Sequence, residues 1–153
     1  GTTTELMAKH IPPVHPVTVL CFTMNALLEL HKKKVENLIM GGGYYHANTQ
    51  LFESPETVAL IQRTRASKYF LSAAGVSREL GLTCANQYEV NVKQACIASS
   101  LKKILLADSN KFDQIRPAYF ASLDTLDTVI TDSGINPEWA RFLEAMSVKV
   151  ITV

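Results

Sequence analysis

The nine residues Ile104-Leu105-Leu106-Ala107-Asp108-Ser109-Asn110-Lys111-Phe112 decide the fold class of this chain. The first four are apolar and predict a buried strand, and the polar residues after them predict a turn at its carboxyl end. In a parallel α/β sheet, ligands bind beyond the carboxyl ends of the strands. Lys111 is therefore a candidate partner for a phosphate, and Asp108 a candidate acceptor for a sugar hydroxyl. The alternative for Asp108 is a turn in which its side chain binds its own backbone.

The same pattern of strand and polar loop occurs earlier in the chain. Lys68-Tyr69-Phe70-Leu71 favours a strand, and Ser72-Ala73-Ala74-Gly75-Val76 predicts a loop at its carboxyl end. Small side chains in such a loop leave room for a ligand, so Gly75 is a candidate binding position. Because both loops follow parallel strands, we expect them at one edge of the sheet.

A predicted helix between these two strands carries an acid and a base. Apolar residues recur at helical spacing from about Gln87 to Lys102, and they form two opposite buried sides, one of which includes Leu101. Glu89 and Lys93 lie one turn apart on the arc between those sides. From spacing alone, they form an exposed ion pair worth about 0.2–0.5 kcal/mol. The alternative is that both groups face a ligand.

The start of the chain offers a second candidate binding region. Gly1-Thr2-Thr3-Thr4 predicts a loop that enters a helix, which ends before Pro12-Pro13. A glycine and three hydroxyl residues at a helix N-terminus can hold a phosphate, and simple capping by threonine is an equal alternative. A strand over 17–22 follows, and Thr23 or Asn25 is the expected cap of the next helix. Asn25 is also a candidate to line the ligand crevice.

Three consecutive glycines follow the next predicted strand. The run 35–40 is apolar, and Gly41-Gly42-Gly43 after it allows the backbone to approach a ligand closely. The sequence lacks the Gly-Lys-Ser/Thr of a nucleotide-binding P-loop. Residues 44–52 then alternate as a strand or hairpin at the sheet edge. Within them, His46 could donate to a ligand, although a single histidine in such a stretch is more often structural.

The remainder of the chain continues the alternation of strand and helix. Helix starts are predicted at Ser54-Pro55 and Asn136-Pro137, further strands at 127–132 and 148–153, and an irregular region at 115–123. Such an alternation predicts one α/β domain of 153 residues with a doubly wound, mostly parallel sheet.

Charge and cysteine content exclude several functional classes. A formal net charge of +1 argues against a nucleic-acid-binding surface on this part of the protein. The three cysteines have no CxxC spacing, which argues against a zinc site or a disulfide framework, and Cys21 and Cys96 lie in apolar patterns that predict burial. No apolar run reaches the roughly 20 residues that span a bilayer. We therefore predict a soluble, cytoplasmic protein with no membrane partner.

Taken together in order and spacing, these segments resemble the effector-sensing domain of the DeoR family of bacterial transcriptional repressors, whose fold is similar to ribose-5-phosphate isomerase. The resemblance extends over nearly the whole chain. It rests on Gly1-Thr2-Thr3-Thr4, Asn25, Gly41-Gly42-Gly43, Ala74-Gly75-Val76, Gly81-Leu82-Thr83, Glu89, Val92-Lys93, Asp108-Ser109-Asn110-Lys111-Phe112 and Val129-Ile130-Thr131-Asp132. One departure is Asp113, where the family commonly has glycine.

The resemblance implies a Rossmann-like domain that binds a sugar phosphate and uses no cofactor, no metal and no catalytic residue. It also implies that a strand and a helix-turn-helix domain precede Gly1 in the full-length protein, which would contact operator DNA as a homo-oligomer. The threonines at 2–4 and the glycine backbone at 41–43 would hold the phosphate. Four charged residues, Glu89, Lys93, Asp108 and Lys111, would either meet the sugar or complete the charge balance.

Two short segments suggest the effector more narrowly. Tyr45-His46-Ala47-Asn48 and Ser72-Ala73-Ala74-Gly75-Val76 resemble those of family members that respond to deoxyribose 5-phosphate. The alternative function is a sugar-phosphate isomerase of the related fold, in which Glu89 would be the general base near Lys93.

Overall fold

A computed structural model describes residues 2–12 and 16–153, so Gly1 of the predicted phosphate cradle lies outside the described residues. The helices are α1 Thr2–Lys9, α2 Met24–Lys32, α3 Pro55–Gln62, α4 Val90–Ser99 and α5 Pro137–Ala145. The strands are β1 Thr18–Cys21, β2 Asn37–Met40, β3 Tyr44–His46, β4 Leu51–Glu53, β5 Ala66–Leu71, β6 Gly75–Ser77, β7 Gly81–Cys84, β8 Ser100–Leu106, β9 Ala118–Ala121, β10 Thr128–Thr131 and β11 Lys149–Thr152.

Parallel strands form the centre of the molecule. Four of them pair in the order β11-β10-β8-β5, and β1 and β2 form a separate parallel pair. Three helices lie in the sequence between strands that pair in parallel, as βαβ connections require: α2 between β1 and β2, α4 between β5 and β8, and α5 between β10 and β11. These features confirm the predicted Rossmann-like α/β fold.

The main core lies under the four-stranded sheet. Leu71 of β5, Leu105 of β8 and Val129 of β10 are almost completely buried, together with Trp139 and Leu143 of α5. Each such side chain stabilises the fold by about 1.5–3 kcal/mol through loss of contact with water. The predicted buried strands and the inward face of the last helix are therefore confirmed.

Our sequence analysis missed a second, antiparallel sheet. Strands β6, β7 and β9 pair in that order, so the predicted irregular region 115–123 in fact contains the strand Ala118–Ala121. The prediction was wrong because these strands are only three or four residues long, too short to show a period of two clearly. Their inward residues, such as Leu82 and Phe120, join the main core.

The predicted hairpin at 44–52 is confirmed as β3 and β4, but it forms its own two-stranded ribbon rather than an edge of the central sheet. Two backbone hydrogen bonds attach it to the segment after β1. The Phe52 N–H donates to the Phe22 carbonyl at 2.8 Å, and the Met24 N–H donates to the Gln50 carbonyl at 2.8 Å. The hairpin is therefore fixed beside the carboxyl end of β1.

The helix predicted from Gln87 to Lys102 is shorter than its apolar spacing suggested. It begins as a 3₁₀ turn over Gln87–Glu89, continues as α4 and ends at Ser99, where β8 starts at once. Leu101, which we predicted to be buried, is 71% exposed. The reason is strand pairing, because Ser100 already pairs with Ala66 of β5 and the backbone bonds of the sheet replace those of a helix.

Helix starts follow the sequence at all three predicted positions, and at two of them the cap side chain makes its hydrogen bond. Ser54 caps α3 by accepting the Thr57 N–H at 3.0 Å, and Asn136 caps α5 by accepting the Glu138 N–H at 2.9 Å. Thr23 occupies the N-cap position of α2 without a capping bond from its side chain, and Asn25 lies inside the first turn. Asn25 is thus available for a different contact.

The three cysteines are buried and unpaired. Burial raises the pKa of Cys21 to about 11 and that of Cys96 to about 12, so both stay protonated and behave as small apolar groups. Among the described residues, no helix is both long enough and apolar enough to cross a membrane.

Candidate functional site

The first group of predicted residues lies at the carboxyl ends of β1 and β2. The Asn25 side-chain amide donates to the Glu5 carboxylate at 3.0 Å, so the first turn of α1 lies beside the first turn of α2. Thr2, Thr3 and Thr4 occupy that same turn of α1. The Gly41 N–H donates to the carbonyl of Cys21, the last residue of β1, at 2.9 Å. The threonines, Asn25 and the glycine loop therefore share one edge of the strand pair.

Packing and backbone conformation explain why glycine is needed at two of the three positions of the glycine loop. A side chain on Gly41 would meet the Thr57 methyl group at 2.6 Å, and Gly43 has a φ of 127°, which other residues rarely adopt. The Gly42 carbonyl accepts hydrogen bonds from the hydroxyls of Ser54 and Thr57. Gly42 and Gly43 line an open groove of about 440 Å³.

Lys93 is the most deeply buried charged residue among those we predicted, with 7% exposure. Its amine donates to the Ser72 carbonyl at 2.8 Å and lies 4.9 Å from the centre of the Phe120 ring. Burial lowers the pKa of Lys93, and the nearby charge of Glu89 partly opposes that effect. A buried amine at the end of β5 is suited to bind an anion, because its charge is poorly screened there.

Glu89 and Lys93 do not form the ion pair that their spacing alone predicted, and neither appears in the salt bridges of the described residues. Glu89 occupies the N-cap position of α4, and its carboxylate accepts the Asn86 side-chain amide at 2.9 Å. The two charges are thus held separately, each by a neighbour at the carboxyl edge of the sheet.

His46 is held by two neighbours. Its Nε2 lies 2.7 Å from the Glu53 carboxylate, and its ring stacks on Tyr88 with ring centres 3.5 Å apart and planes within 2°. The Tyr88 hydroxyl in turn bonds to Asn48 and Thr49 of the hairpin, at 2.9 and 3.0 Å. This cluster joins the hairpin to the residue next to Glu89, so His46 has the structural contacts that our alternative reading expected.

Asp108 and Lys111 lie at the carboxyl end of β8, as predicted. Asp108 caps a short 3₁₀ turn by accepting the Asn110 N–H at 3.0 Å, which is the local turn that we gave as its alternative role. Lys111 is half-buried in that turn. Phe112 then pairs with Val76 of β6 as an isolated parallel bridge, which brings the turn beside the loop that follows β5.

Close packing and backbone strain mark two further positions near this turn. Gly75 is buried, and a side chain there would lie about 2.6 Å from the Thr83 hydroxyl, so the residue serves packing in this structure. Asp113 has a φ of 61°, in the left-handed region. That conformation favours glycine, the residue that the resemblance led us to expect at this position.

A series of contacts connects the segments that carry these groups. Phe22, after β1, packs in a buried cluster with Val92 of α4, the residue next to Lys93. The hairpin contacts both the segment after β1 and Tyr88, and the loop after β5 contacts both Lys93 and the turn after β8. The predicted residues along this edge are Thr2, Thr3, Thr4, Asn25, Gly41, Gly42, Gly43, His46, Gly75, Glu89, Lys93, Asp108 and Lys111.

A larger groove, of about 630 Å³, lies elsewhere, on the outer side of the small antiparallel sheet. It is lined by residues that include Arg78, Leu80, Ile115 and Tyr119, and by none of the predicted binding residues. We assign the candidate site to the carboxyl edge because amines, carboxylates and hydroxyls converge there, as recognition of a small polar ligand requires.

Sequence reasoning missed three contributors at this edge: the Ser72 carbonyl, the Tyr88 ring and the Asp132 carboxylate. Ser72 acts through its backbone, which no side-chain pattern reveals. Tyr88 lies in the predicted helix, and nothing in the sequence indicated that its hydroxyl bonds to the hairpin. Asp132 is the last residue of the predicted strand 127–132, and an acid at a strand end was a usable signal.

The chemistry of the edge defines a class of site. Among the described residues, no group of three or more histidines, cysteines or carboxylates could hold a metal ion. Two lysines, two carboxylates and several hydroxyls around parallel strand ends instead suit a small polyhydroxylated anion. The fold and the polar groups at this edge are suited to a domain that binds a small molecule.

Comparison with known proteins gives the family. The model of the DeoR C-terminal sensor domain matches residues 1–133, and the chain therefore belongs to the DeoR family of transcriptional regulators as their sensor domain.

Curated relatives agree with this assignment. The chain is 29% identical to the deoxyribose operon repressor of Escherichia coli (strain K12) over 151 residues, which are 99% of this chain and 60% of that protein. It is 32% identical over 153 residues, its full length, to an uncharacterized HTH-type transcriptional regulator, YulB, of Bacillus subtilis (strain 168), and covers 59% of it. The chain thus spans about three-fifths of these relatives.

Proposed function

We propose that this domain binds a sugar phosphate at the carboxyl edge of its parallel strands, and that binding changes the affinity of the full-length repressor for operator DNA. The observation that carries the proposal is the buried Lys93 amine, held 2.8 Å from the Ser72 carbonyl beside the Asp108–Lys111 turn. Placing a cation out of water costs free energy, and an anionic ligand would offset that cost.

The proposed division of roles follows the three groups of residues. The amines of Lys93 and Lys111 supply positive charge, and Glu89 and Asp108 accept hydrogen bonds from sugar hydroxyls. The threonines at 2–4 and the backbone at 41–43 hold the phosphate at the other end of the edge, near Asn25. Deoxyribose 5-phosphate is the first effector to test, because a relative of similar sequence is named the deoxyribose operon repressor.

Calorimetric titration of the domain with deoxyribose 5-phosphate, ribose 5-phosphate and unphosphorylated deoxyribose tests this proposal. We expect micromolar to millimolar binding of a phosphorylated pentose, about −8 to −4 kcal/mol. Lys93→Ala should weaken the phosphorylated ligand far more than the free sugar. The exposed Lys68 provides the matched control, because Lys68→Ala removes the same charge away from the edge. Equal losses for both sugars in Lys93→Ala would place the lysine outside the site.

Two further measurements separate sensing from other roles. In the full-length protein, the bound ligand should change operator affinity by a coupling free energy of about 1–3 kcal/mol. Incubation of the domain with ribose 5-phosphate should give no isomerisation. Turnover that is abolished in Glu89→Gln would contradict the proposal in favour of an isomerase, and no binding of any pentose or hexose phosphate would contradict both.

A further inference from the structure

We propose that Asp132 is a positioning residue for the effector site: its carboxylate fixes the turn that presents Asp108 and Lys111. This inference rests on the proposed function, and its test is arranged so that the two can fail separately. Asp132 was not among our candidate binding residues. It follows β10 directly, as Asp108 follows the neighbouring strand β8 by two residues.

Both carboxylate oxygens of Asp132 are used by backbone donors. One accepts the Ser109 N–H at 2.6 Å, and the other accepts the Gly134 N–H at 2.8 Å. Hydrogen bonding from Ser109, and to a lesser extent from Gly134, lowers the pKa of Asp132. Charge-assisted bonds of this kind are about twice as strong as neutral ones. Asp132 therefore holds its neighbouring turn rather than offering a free carboxylate to a ligand.

The packing of the two loops shows how closely they are fitted. A side chain on Gly134 would lie 2.7 Å from the Ser109 hydroxyl and 2.8 Å from the Asp132 carboxylate. An alanine at this position would therefore displace the Ser109 hydroxyl and the Asp132 carboxylate from where they now lie. The contact between the loops thus depends on both residues, Asp132 and Gly134.

The turn is held at two points, and Lys111 lies between them. At one end, Ser109 is bound by Asp132. At the other end, Phe112 is buried against Trp139 with ring centres 5.1 Å apart, and the next N–H, that of Asp113, donates to the Val76 carbonyl at 2.8 Å. A side chain between two fixed points loses less freedom when it binds a ligand, which favours affinity. Release of the Asp132 end would leave Lys111 anchored on one side only.

The chain offers a matched control at the opposite end of the same strand pair. Asp127, just before β10, accepts the Lys103 N–H of β8 at 2.8 Å, so it also ties β10 to β8 through a carboxylate and a backbone donor. It lies at the amino ends of the strands, away from the candidate site. Asp127→Asn and Asp132→Asn therefore remove the same charge and a similar bond, and differ in the edge affected.

The test compares these two variants with the unmodified domain by calorimetry with deoxyribose 5-phosphate. We expect a tenfold or greater rise in Kd for Asp132→Asn and no more than a twofold change for Asp127→Asn. Loss of a negative charge would by itself strengthen binding of an anion, so weaker binding reports on positioning. Unchanged affinity in Asp132→Asn, or equal weakening in both variants, would overturn the inference.

A second variant and a second readout guard against a simple folding defect. Gly134→Ala leaves every charge in place and should also weaken binding, while both variants keep the unfolding cooperativity of the unmodified domain in urea. NMR relaxation of the amides of residues 109–112 should show greater mobility in Asp132→Asn than in Asp127→Asn; equal order in both would overturn the inference. If the unmodified domain binds no sugar phosphate, the proposed function fails and this relaxation result alone decides the role of Asp132.

Discussion

Replacing Lys93 by methionine should make the protein more stable and remove its affinity for phosphorylated sugars. In the folded state the amine is almost fully buried and has one hydrogen bond, to the Ser72 carbonyl, and one aromatic neighbour, Phe120. The bond contributes about 1.5–3 kcal/mol and the ring about 0.5–2 kcal/mol. Burial of the charge costs several kcal/mol, and it lowers the pKa of Lys93 more than the nearby charge of Glu89 raises it.

Methionine fills a similar volume without a charge. We therefore expect the free energy of unfolding at pH 7 to rise by about 1 kcal/mol, which raises Tm by about 2–4 °C in a chain of this size. The sign of the pH dependence follows from linkage. Because the pKa of Lys93 is lower in the folded state, the unfolded state binds more protons between the two pKa values, and the unmodified protein gains stability as pH rises through that window toward about 10.4. The advantage of the methionine variant should shrink accordingly.

Urea denaturation of both proteins at pH 7, 8, 9 and 10 measures the difference between their free energies of unfolding. Because both proteins share all other titratable groups, the contributions of those groups cancel in this difference. Lys68→Met, at an exposed position on β5, should change stability by less than about 0.5 kcal/mol at every pH. The reasoning is refuted if Lys93→Met is less stable than the unmodified protein by more than about 1 kcal/mol and the difference does not depend on pH. Such a result would show that the fold stabilises the charged amine.

Further substitutions test the backbone and the corrected helix boundary by urea denaturation. Asp113→Val should cost about 1–2 kcal/mol because a β-branched residue is strained at a φ of 61°, whereas Asp113→Gly should cost little, and equal stability of the two variants would contradict this. Leu105→Ala should cost about 2.7–5 kcal/mol, and Leu101→Ala less than about 0.5 kcal/mol; similar losses would mean that Leu101 is buried. Ser54→Ala should cost about 1 kcal/mol or more, because the serine caps α3 and also donates to the Gly42 carbonyl. An unfolding midpoint in urea that is the same with and without Ser54→Ala would show that the Ser54 side chain does not stabilise the protein.

The parallel strands and their polar ends were predictable because long apolar runs followed by polar turns carry a strong local signal. The run that ends at Asp108 and the cap at Asn136 lie where the sequence placed them. The end of α4 was not predictable in this way. The apolar spacing continued to Leu101, but pairing of Ser100 with β5 decided the boundary, and that partner is more than 30 residues away in the sequence.

The candidate site was also predictable from the sequence only in part. The positions of Lys93 and Lys111 followed from their place in the strand and helix order, and the structure puts both at one edge. What they contact could not be predicted, since the Ser72 carbonyl and the Asp132 carboxylate reach this edge from separate segments. The close neighbours of Gly41 and Gly43, which are Thr57 and Glu53, were not visible in the sequence.

The direct passage of α4 into β8 has a consequence for how the pocket could adapt to ligands of different length. Ser99 ends the helix and Ser100 begins the strand, with no spacer between them. We therefore expect the end of α4 and the start of β8 to move together. A longer or shorter sugar would then be accommodated at the opposite wall, where α1 meets α2 through the Asn25 amide and through the packing of Ala8 with Leu30.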